Sequence, residues 1–283
     1  MIKRTHGYLT VLNTEDTPLE SQALETEGYC VLRKVLTKVE VKALRDDIDR
    51  VYKEYPPDNR AGNRSEQEDL MFRYEMLNRS AICQRTIAHP KILEVLEGLL
   101  GDDCHIIANT AWRNPAGHKG SHGGQSWHID AGPHIPLADG STWPQDIPHP
   151  VFAIGVHIYL QDCSLDDGPT GVIPGSHLSG RFPPSDQRFD DDLIFEDQGV
   201  VPLITRKGDV GFFVSDIWHR RMPARKGASG RYFLQAHYGR RDIAQRIHTS
   251  QQNNQLSDDA IARAVTHREK TVIGLHEPKF YDG

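Results

Sequence analysis

The feature that most constrains the fold is a series of short strand-like runs in the second half of the chain. From about residue 104 onward, β-branched and aromatic residues gather in short segments, and clusters of Gly, Pro and Asp separate them. Many short strands divided by turns predict a β-sandwich or a β-barrel. The runs lie at 104–112, 151–161, 171–173, 200–205, 209–214 and 231–238.

Helical patterns flank this β region. Thr37 and Glu40 have the spacing of a capping box, and apolar residues follow at helical spacing as far as Tyr55. Further helices are predicted at 90–100 and 258–265. We therefore predict a mainly β protein with flanking helices, in one domain over residues 1–283. Its parts are a β core at about 104–240, N-terminal helices within about 37–100 and a C-terminal helical segment at about 257–265.

Composition excludes several classes of protein. The 283 residues carry a net charge of −6 without a block of Lys and Arg, which argues against nucleic acid as the main partner. No run of 18 apolar residues is present, so we expect no membrane partner, and the apolar run 8–12 is too short for a signal-peptide core. The four Cys are scattered without CxxC spacing, which favours a reducing compartment and a cytoplasmic protein.

Histidine is unusually frequent, with 15 of the 283 residues. Because imidazole is the commonest metal ligand in proteins, motifs that contain His are the first candidates for a site. His128 and Asp130 lie two apart in an extended segment, so both side chains point to the same side of the chain and can converge on one ion. A surface His and a turn Asp would give the same spacing by chance.

A second His follows an apolar strand further along the chain. The segment 207–219 has the pattern of a turn, an apolar strand and then His219. Two His and one carboxylate leave coordination positions open for a co-substrate and oxygen, as in non-haem iron(II) sites, although zinc competes on ligand type alone. Arg231 stands at the start of an otherwise apolar strand, where its guanidinium requires a partner and fits a carboxylate.

A turn-rich corner, DGPTGVIPGSH at 167–177, lies between these motifs, but physical chemistry alone assigns it no catalytic role. Taken in order, the HxD pair, this corner, the Gly-Asp turn with its strand and His219, and Arg231 resemble the phytanoyl-CoA dioxygenase-like family of iron(II)/2-oxoglutarate oxygenases. The resemblance covers roughly residues 20–240, because the segment 27–32 followed by a helix is also similar to the opening of that family.

The resemblance implies a double-stranded β-helix, that is, a jelly-roll or cupin-like core. It implies iron ligands at His128, Asp130 and His219, with Arg231 as the anchor for the far carboxylate of 2-oxoglutarate and Asn114 as a further contact of 2-oxoglutarate. Iron(II) is then the cofactor, and 2-oxoglutarate and O₂ are the co-substrates. Because the carboxylate ligand is present, hydroxylation or another oxygenation is favoured over halogenation.

Further side chains are predicted near the site from their positions. Gln125 lies three residues before His128 and is expected to touch 2-oxoglutarate or the substrate. His237 shares a strand face with Arg231 and is preferred over His157 as a pocket residue. The residues assigned to the substrate pocket are His134, Thr170, His237 and Trp127.

Several segments leave alternatives open. The insert 134–150, with Trp143 and four Pro, fits either a lid over the site or an ordered surface loop. His118 and His122 lie in a Gly-rich run that disfavours a helix, so contact with substrate is preferred over metal binding. The acidic triplet 190–192 is interpreted as a solvated loop.

The predicted function is a non-haem iron(II)/2-oxoglutarate-dependent dioxygenase. It would hydroxylate a C–H bond of a small, polar metabolite or natural product and release succinate and CO₂. The alternatives are a catalytically silent, cupin-like binding protein of the same fold, a dioxygenase acting on a fatty acyl-CoA, and a zinc hydrolase using the same ligands.

Overall fold

A computed structural model describes residues 3–6, 10–13, 17–56, 72–114, 124–130, 132–245 and 256–277. Short strands dominate the second half of the chain, as predicted. The strands are β1 (Lys3–His6), β2 (Thr10–Asn13), β3 (Tyr29–Leu32), β4 (Phe72–Arg73), β5 (His105–Asn114), β6 (Ala153–Tyr159), β7 (Thr170–Val172), β8 (Val201–Pro202), β9 (Val210–Val214), β10 (His219–Arg221) and β11 (Arg231–Gly239).

The helices lie before and after the main strands. They are α1 (Leu19–Thr26), α2 (Lys38–Glu54), α3 (Met76–Arg79), α4 (Ala81–Ile87), α5 (Pro90–Leu100), α6 (Asp258–Arg263) and α7 (His267–Val272). In this described part of the chain, no helix is both long and apolar enough to pass through a bilayer.

Two antiparallel sheets form the β core. The larger has the strand order β3-β9-β6-β11-β5-β4, the smaller has the order β10-β7-β8, and β1 pairs separately with β2. Side chains of the two sheets meet between them, where Val172 of β7 packs with Phe213 of β9. The mainly β prediction with flanking helices is confirmed.

Strand β11 shows how the large sheet separates core from site. It pairs with β5 and β6, with Arg231 opposite Asn114 and Gln235 opposite His157. Because side chains alternate along a strand, Arg231, Gln235 and His237 share the face toward the small sheet. The side chains of Tyr232, Leu234 and Ala236 point to the other face, where they join the main apolar cluster together with residues of α2 and α5.

Helix α2 forms where its local sequence predicts it. The Thr37 hydroxyl accepts a hydrogen bond from the Glu40 amide, and the Glu40 carboxylate accepts one from the Thr37 amide, which satisfies two donors at the helix start. Its apolar stripe is buried, and each such side chain contributes about 1.5–3 kcal/mol to folding. The stripe consists of Val41, Leu44, Ile48 and Val51.

Some boundaries differ from the prediction. The run 200–205 contains only the two-residue strand β8, and the C-terminal helix ends at Arg263 rather than 265. Helix α1 was not predicted, because Pro18 at its N-cap offers no capping side chain. Helix α7 was also missed, although Thr266 and Glu269 form a capping box.

Candidate active site

Three side chains from two segments converge between the sheets. One ligand atom from each of His128, Asp130 and His219 lies within 4.8 Å of the others. The His219 Nε2 atom is 3.5 Å from Asp130 Oδ1, and the two imidazole centroids are 4.4 Å apart. The structure therefore brings together the two His and one carboxylate that the sequence singled out.

Backbone pairing sets this geometry. His128 and His219 form an antiparallel bridge in which each amide donates to the other's carbonyl at 3.0 Å. The Asp130 amide donates to the Ser215 carbonyl at 3.0 Å. This bond fixes the Asp130 carboxylate on the same face of the extended segment as His128, two residues further along the chain. The HxD segment thus lies beside β10 and is joined to it by this isolated bridge.

Both imidazoles are oriented by backbone carbonyls. His128 Nδ1 lies 2.8 Å from the Ser126 carbonyl, and His219 Nδ1 lies 2.9 Å from the Ile217 carbonyl. Because a carbonyl only accepts, each Nδ1 carries a proton, and in the neutral ring Nε2 then presents a lone pair. The buried Oδ2 atom of Asp130 makes no hydrogen bond to any described residue. This donor set fits a divalent metal ion with open positions.

The protonation states of Asp130 and His128 suit metal binding as well. Burial, followed by the nearby charge of His219, lowers the pKa of His128 to about 4. Burial would raise the pKa of Asp130, but the imidazoles of His219, His237 and His128 outweigh it and hold that pKa below its usual range. Burial alone would lower the pKa of His219, but the neighbouring Asp130 carboxylate outweighs it and raises that pKa. An ionised carboxylate and a neutral His128 are the forms in which these residues ligate a metal.

A cavity of about 80 Å³ opens beside these three residues. Arg231 lines it, is 4% exposed, and donates from Nη1 to the Thr170 hydroxyl at 3.0 Å. Gln125 also lines it, and its Oε1 accepts from the Arg221 amide at 3.3 Å. Asn114 is the backbone partner of Arg231, but its side chain lies outside the described part of the structure.

The other predicted pocket residues lie in different places. Thr170 lines the cavity. His237 is buried behind Asp130, with Nδ1 4.0 Å from Asp130 Oδ2 and Nε2 2.5 Å from the Ser215 hydroxyl. It is a neighbour of the carboxylate, whereas His157, which the sequence ranked lower, lines the cavity itself.

Trp127 and His134 point away from the cavity. Trp127 is 3% exposed and packs with Ile173 and Trp218, because alternation turns it to the side opposite His128. His134 is tied to Asp216, with Nδ1 2.5 Å from the carboxylate, and its ring stacks on Phe152 at 5.0 Å. Placing these two side chains in the pocket is not supported by their contacts.

Among the polar residues that line the cavity, sequence reasoning ranked His157 too low and did not single out Arg220, Arg221 or Gln235. His157 is the polar exception in β6, between Val156 and Ile158, and this interruption of an apolar run was the available signal. Burial, followed by the positive charge of Arg231, lowers the pKa of His157 well below its ordinary value. It is therefore a neutral hydrogen-bonding group of the cavity wall.

The insert 134–150 is held by the segment that follows β7. The Trp143 amide donates to the Leu178 carbonyl at 2.9 Å, and Arg181 donates to the carbonyls of Ala138 and Ser141 at 2.8 Å each. These contacts favour the ordered surface loop over the lid. The acidic triplet 190–192 is exposed, as interpreted, with Asp191 paired to Arg220, whereas His118 and His122 lie outside the described residues.

Comparisons with known proteins agree with this geometry. The model of the phytanoyl-CoA dioxygenase (PhyH) family matches residues 24–225. The dioxygenase andF of Emericella variicolor is 23% identical over 224 residues, covering 72% of this chain and 68% of that protein.

Solved structures share the fold. The structure of EctD from S. alaskensis with bound Fe has a TM-score of 0.64 at 21% identity, covering 81% of this chain and 80% of that one. HygX from Streptomyces hygroscopicus, with nickel, 2-oxoglutarate and hygromycin B bound, has a TM-score of 0.59 at 15% identity, covering 83% and 90%. The predicted double-stranded β-helix is confirmed by these likenesses. Since the family model covers most of the sequence, the chain belongs to the phytanoyl-CoA dioxygenase family.

Proposed function

We propose that this chain, an iron(II)- and 2-oxoglutarate-dependent dioxygenase of that family, holds iron through His128, Asp130 and His219 and oxidises a C–H bond of a small polar substrate. The observation that carries the proposal is the convergence of these three side chains beside one cavity that also holds Arg231. When bound, iron(II) and 2-oxoglutarate supply the oxidising chemistry, which consumes O₂, releases succinate and CO₂, and leaves oxygen on the substrate.

Arg231 is proposed to bind the far carboxylate of 2-oxoglutarate. Its guanidinium is buried, and Thr170 accepts one of its hydrogen bonds, which orients the remaining donors. Gln125, which lines the same cavity, and Asn114, the strand neighbour of Arg231, are proposed as further contacts. The chain's own contribution is thus to orient the co-substrate and to keep bulk water away from its charged ends.

A polar substrate is favoured by the wall of the cavity. Its described lining includes the amides of Gln125 and Gln235 and the imidazole of His157, beside the rings of Trp112 and Phe213. HygX, whose fold is similar, has hygromycin B bound. We therefore place the substrate among small polar metabolites or natural products rather than among fatty acyl-CoA thioesters.

A reducing, cytoplasmic location is proposed from the cysteines. All four are free thiols buried in the structure, at Cys30, Cys83, Cys104 and Cys163. Burial raises the pKa of Cys104 to about 11, so its thiol stays protonated and unreactive. These residues act as core side chains and supply no disulfide framework.

The decisive experiment is an anaerobic titration of the protein with iron(II) and then 2-oxoglutarate, followed by exposure to O₂ and measurement of succinate. We expect a weak visible charge-transfer band and then succinate release. Asp130→Ala should abolish both signals, whereas Asp186→Ala, which removes an exposed carboxylate, should leave both unchanged.

Each alternative gives a distinct result. A silent binding protein would show the band without succinate, and a zinc enzyme would retain zinc through purification and show no band. Arg231→Gln should chiefly raise the 2-oxoglutarate concentration required for turnover. An unchanged requirement would reject its role as anchor.

A further inference from the structure

Arg221 places a second guanidinium at the end of the cavity where Arg231 lies. We propose that Arg221 binds the far carboxylate of 2-oxoglutarate together with Arg231, so that two guanidinium groups select a dicarboxylate co-substrate. This inference rests on the proposed function, because it assumes that Arg231 receives that carboxylate.

Strand β10 turns Arg221 toward the cavity. His219 and Arg221 are two residues apart on β10 and therefore share a face, whereas Arg220 faces the opposite side. Arg220 also borders this cavity, but its guanidinium lies over the Trp127 ring at 4.6 Å and pairs with the exposed carboxylate of Asp191. Arg221 is 1% exposed and lines the same cavity as the metal-binding residues.

The neighbours of Arg221 place it beside the expected anchor. Arg221 is paired with Thr170 across β10 and β7, and the Thr170 hydroxyl accepts from Arg231 at 3.0 Å. Because both arginines lie beside Thr170 and line one small cavity, their guanidinium groups can act on one bound anion.

A glycine in the turn-rich corner leaves space for the Arg221 side chain. Gly168 has a φ of +70°, and a Cβ atom there would lie 3.2 Å from Arg221 Nε and 2.8 Å from the Met222 carbonyl oxygen. The adjacent Asp167 carboxylate accepts from the amides of Ser229 and Gly230, so it is engaged with the backbone. This corner, to which the sequence alone gave no chemical role, thus passes close to the arginine side chain.

The charges around the cavity explain why two guanidinium groups suit a dicarboxylate. Among the described lining residues, Asp130 is the only acid, and it belongs to the metal end. At the other end the buried residues Arg221 and Arg231 concentrate positive charge, and burial strengthens electrostatic attraction. A carboxylate offers two oxygens, so each guanidinium can donate to one of them.

The test compares two 2-oxo acids of equal length in the anaerobic iron(II) protein. 2-Oxoglutarate carries the far carboxylate, and 2-oxopentanoate has a methyl group in its place. Calorimetry measures the dissociation constant of each for the wild type, Arg221→Gln, Arg221→Lys and Arg231→Gln. Arg225→Gln, an exposed arginine four residues further on, is the matched control.

We expect Arg221→Gln to weaken 2-oxoglutarate binding by about tenfold to a hundredfold, the usual effect of removing one charged hydrogen bond. Binding of 2-oxopentanoate should stay as in the wild type, which also shows that the variant is folded. Arg221→Lys should recover part of the loss, and Arg225→Gln should change neither constant.

Two results would overturn the inference. One is an unchanged 2-oxoglutarate constant in Arg221→Gln while Arg231→Gln loses affinity, which leaves the proposed function standing. The other is an equal loss for both 2-oxo acids, which indicates a structural role for Arg221. If the wild type with iron(II) binds no 2-oxoglutarate at all, the proposed function fails first.

Discussion

His149 makes a quantitative prediction about acid stability. It is 8% exposed, and its ring stands edge-on to Trp143 at 5.2 Å and to His177 at 5.3 Å. No described residue hydrogen-bonds to its buried Nδ1 atom. Burial, followed by the neighbouring His177, lowers its pKa from 6.5 to about 4. The folded protein therefore holds His149 neutral under conditions where the unfolded chain protonates it.

The sign and size of the effect follow from proton linkage. Because the pKa of His149 is lower in the folded protein, its contribution to stability is complete above pH 6.5 and is lost as the pH falls toward 4. At about pH 5, His149 is almost fully protonated in the unfolded chain but not in the folded protein. The free energy of unfolding is therefore about 2 kcal/mol lower at that pH than at neutral pH.

His149→Phe keeps an aromatic ring in this position and removes the titrating group. The free energy of unfolding is measured in urea, with a metal chelator present, at about pH 7.5 and at about pH 5. Between these two pH values, the variant should lose about 2 kcal/mol less unfolding free energy than the parent protein does. His267→Phe removes the same ring from a position where it is 74% exposed and serves as the control. An identical loss in His149→Phe and the parent would refute a neutral, buried imidazole at this position.

Two further predictions concern the metal and the corner. Iron(II) at about a hundredfold above its dissociation constant should raise the unfolding free energy by about 2.7 kcal/mol, measured anaerobically in urea, and His219→Ala should remove that gain. Gly28→Ala should destabilise the protein by about 2–4 kcal/mol in urea unfolding, because it combines a φ of +83° with a Cβ 2.6 Å from His177 Nδ1. Gly175 has a φ of +73°, but a Cβ there would meet no atom within 4 Å, so Gly175→Ala should lose only the free energy due to backbone strain. Equal losses of unfolding free energy in the two variants would contradict steric crowding at Gly28.

Local rules predicted the parts of the fold that depend on short stretches of sequence. The capping box at Thr37 and the apolar spacing after it place α2 within a residue of its observed start. Alternation along β11 places Arg231 and His237 on one face, as found. The same rule applied to the HxD segment would have turned Trp127 away from the cavity.

The remaining errors concern contacts between distant segments. His134 is held by Asp216, and no spacing rule connects those two positions. Strand β10 has only three residues, so no apolar alternation reveals that Arg221 shares the face of His219. Such placements depend on which strands become neighbours, and neighbouring strands can be distant in sequence.

The corner at 167–177 connects motifs that lie far apart along the chain. Strand β7 lies inside the corner and pairs with β10, so Val172 is opposite His219 and Thr170 is opposite Arg221. At its other end, the Ser176 hydroxyl accepts from the Trp218 amide at 2.9 Å, one residue before the proposed ligand His219. Since Thr170 also accepts from Arg231, one short segment fixes the ligand strand and the carboxylate anchor relative to each other. A change in this corner should therefore disturb metal and co-substrate binding together, although no residue of the corner is proposed to ligate the metal.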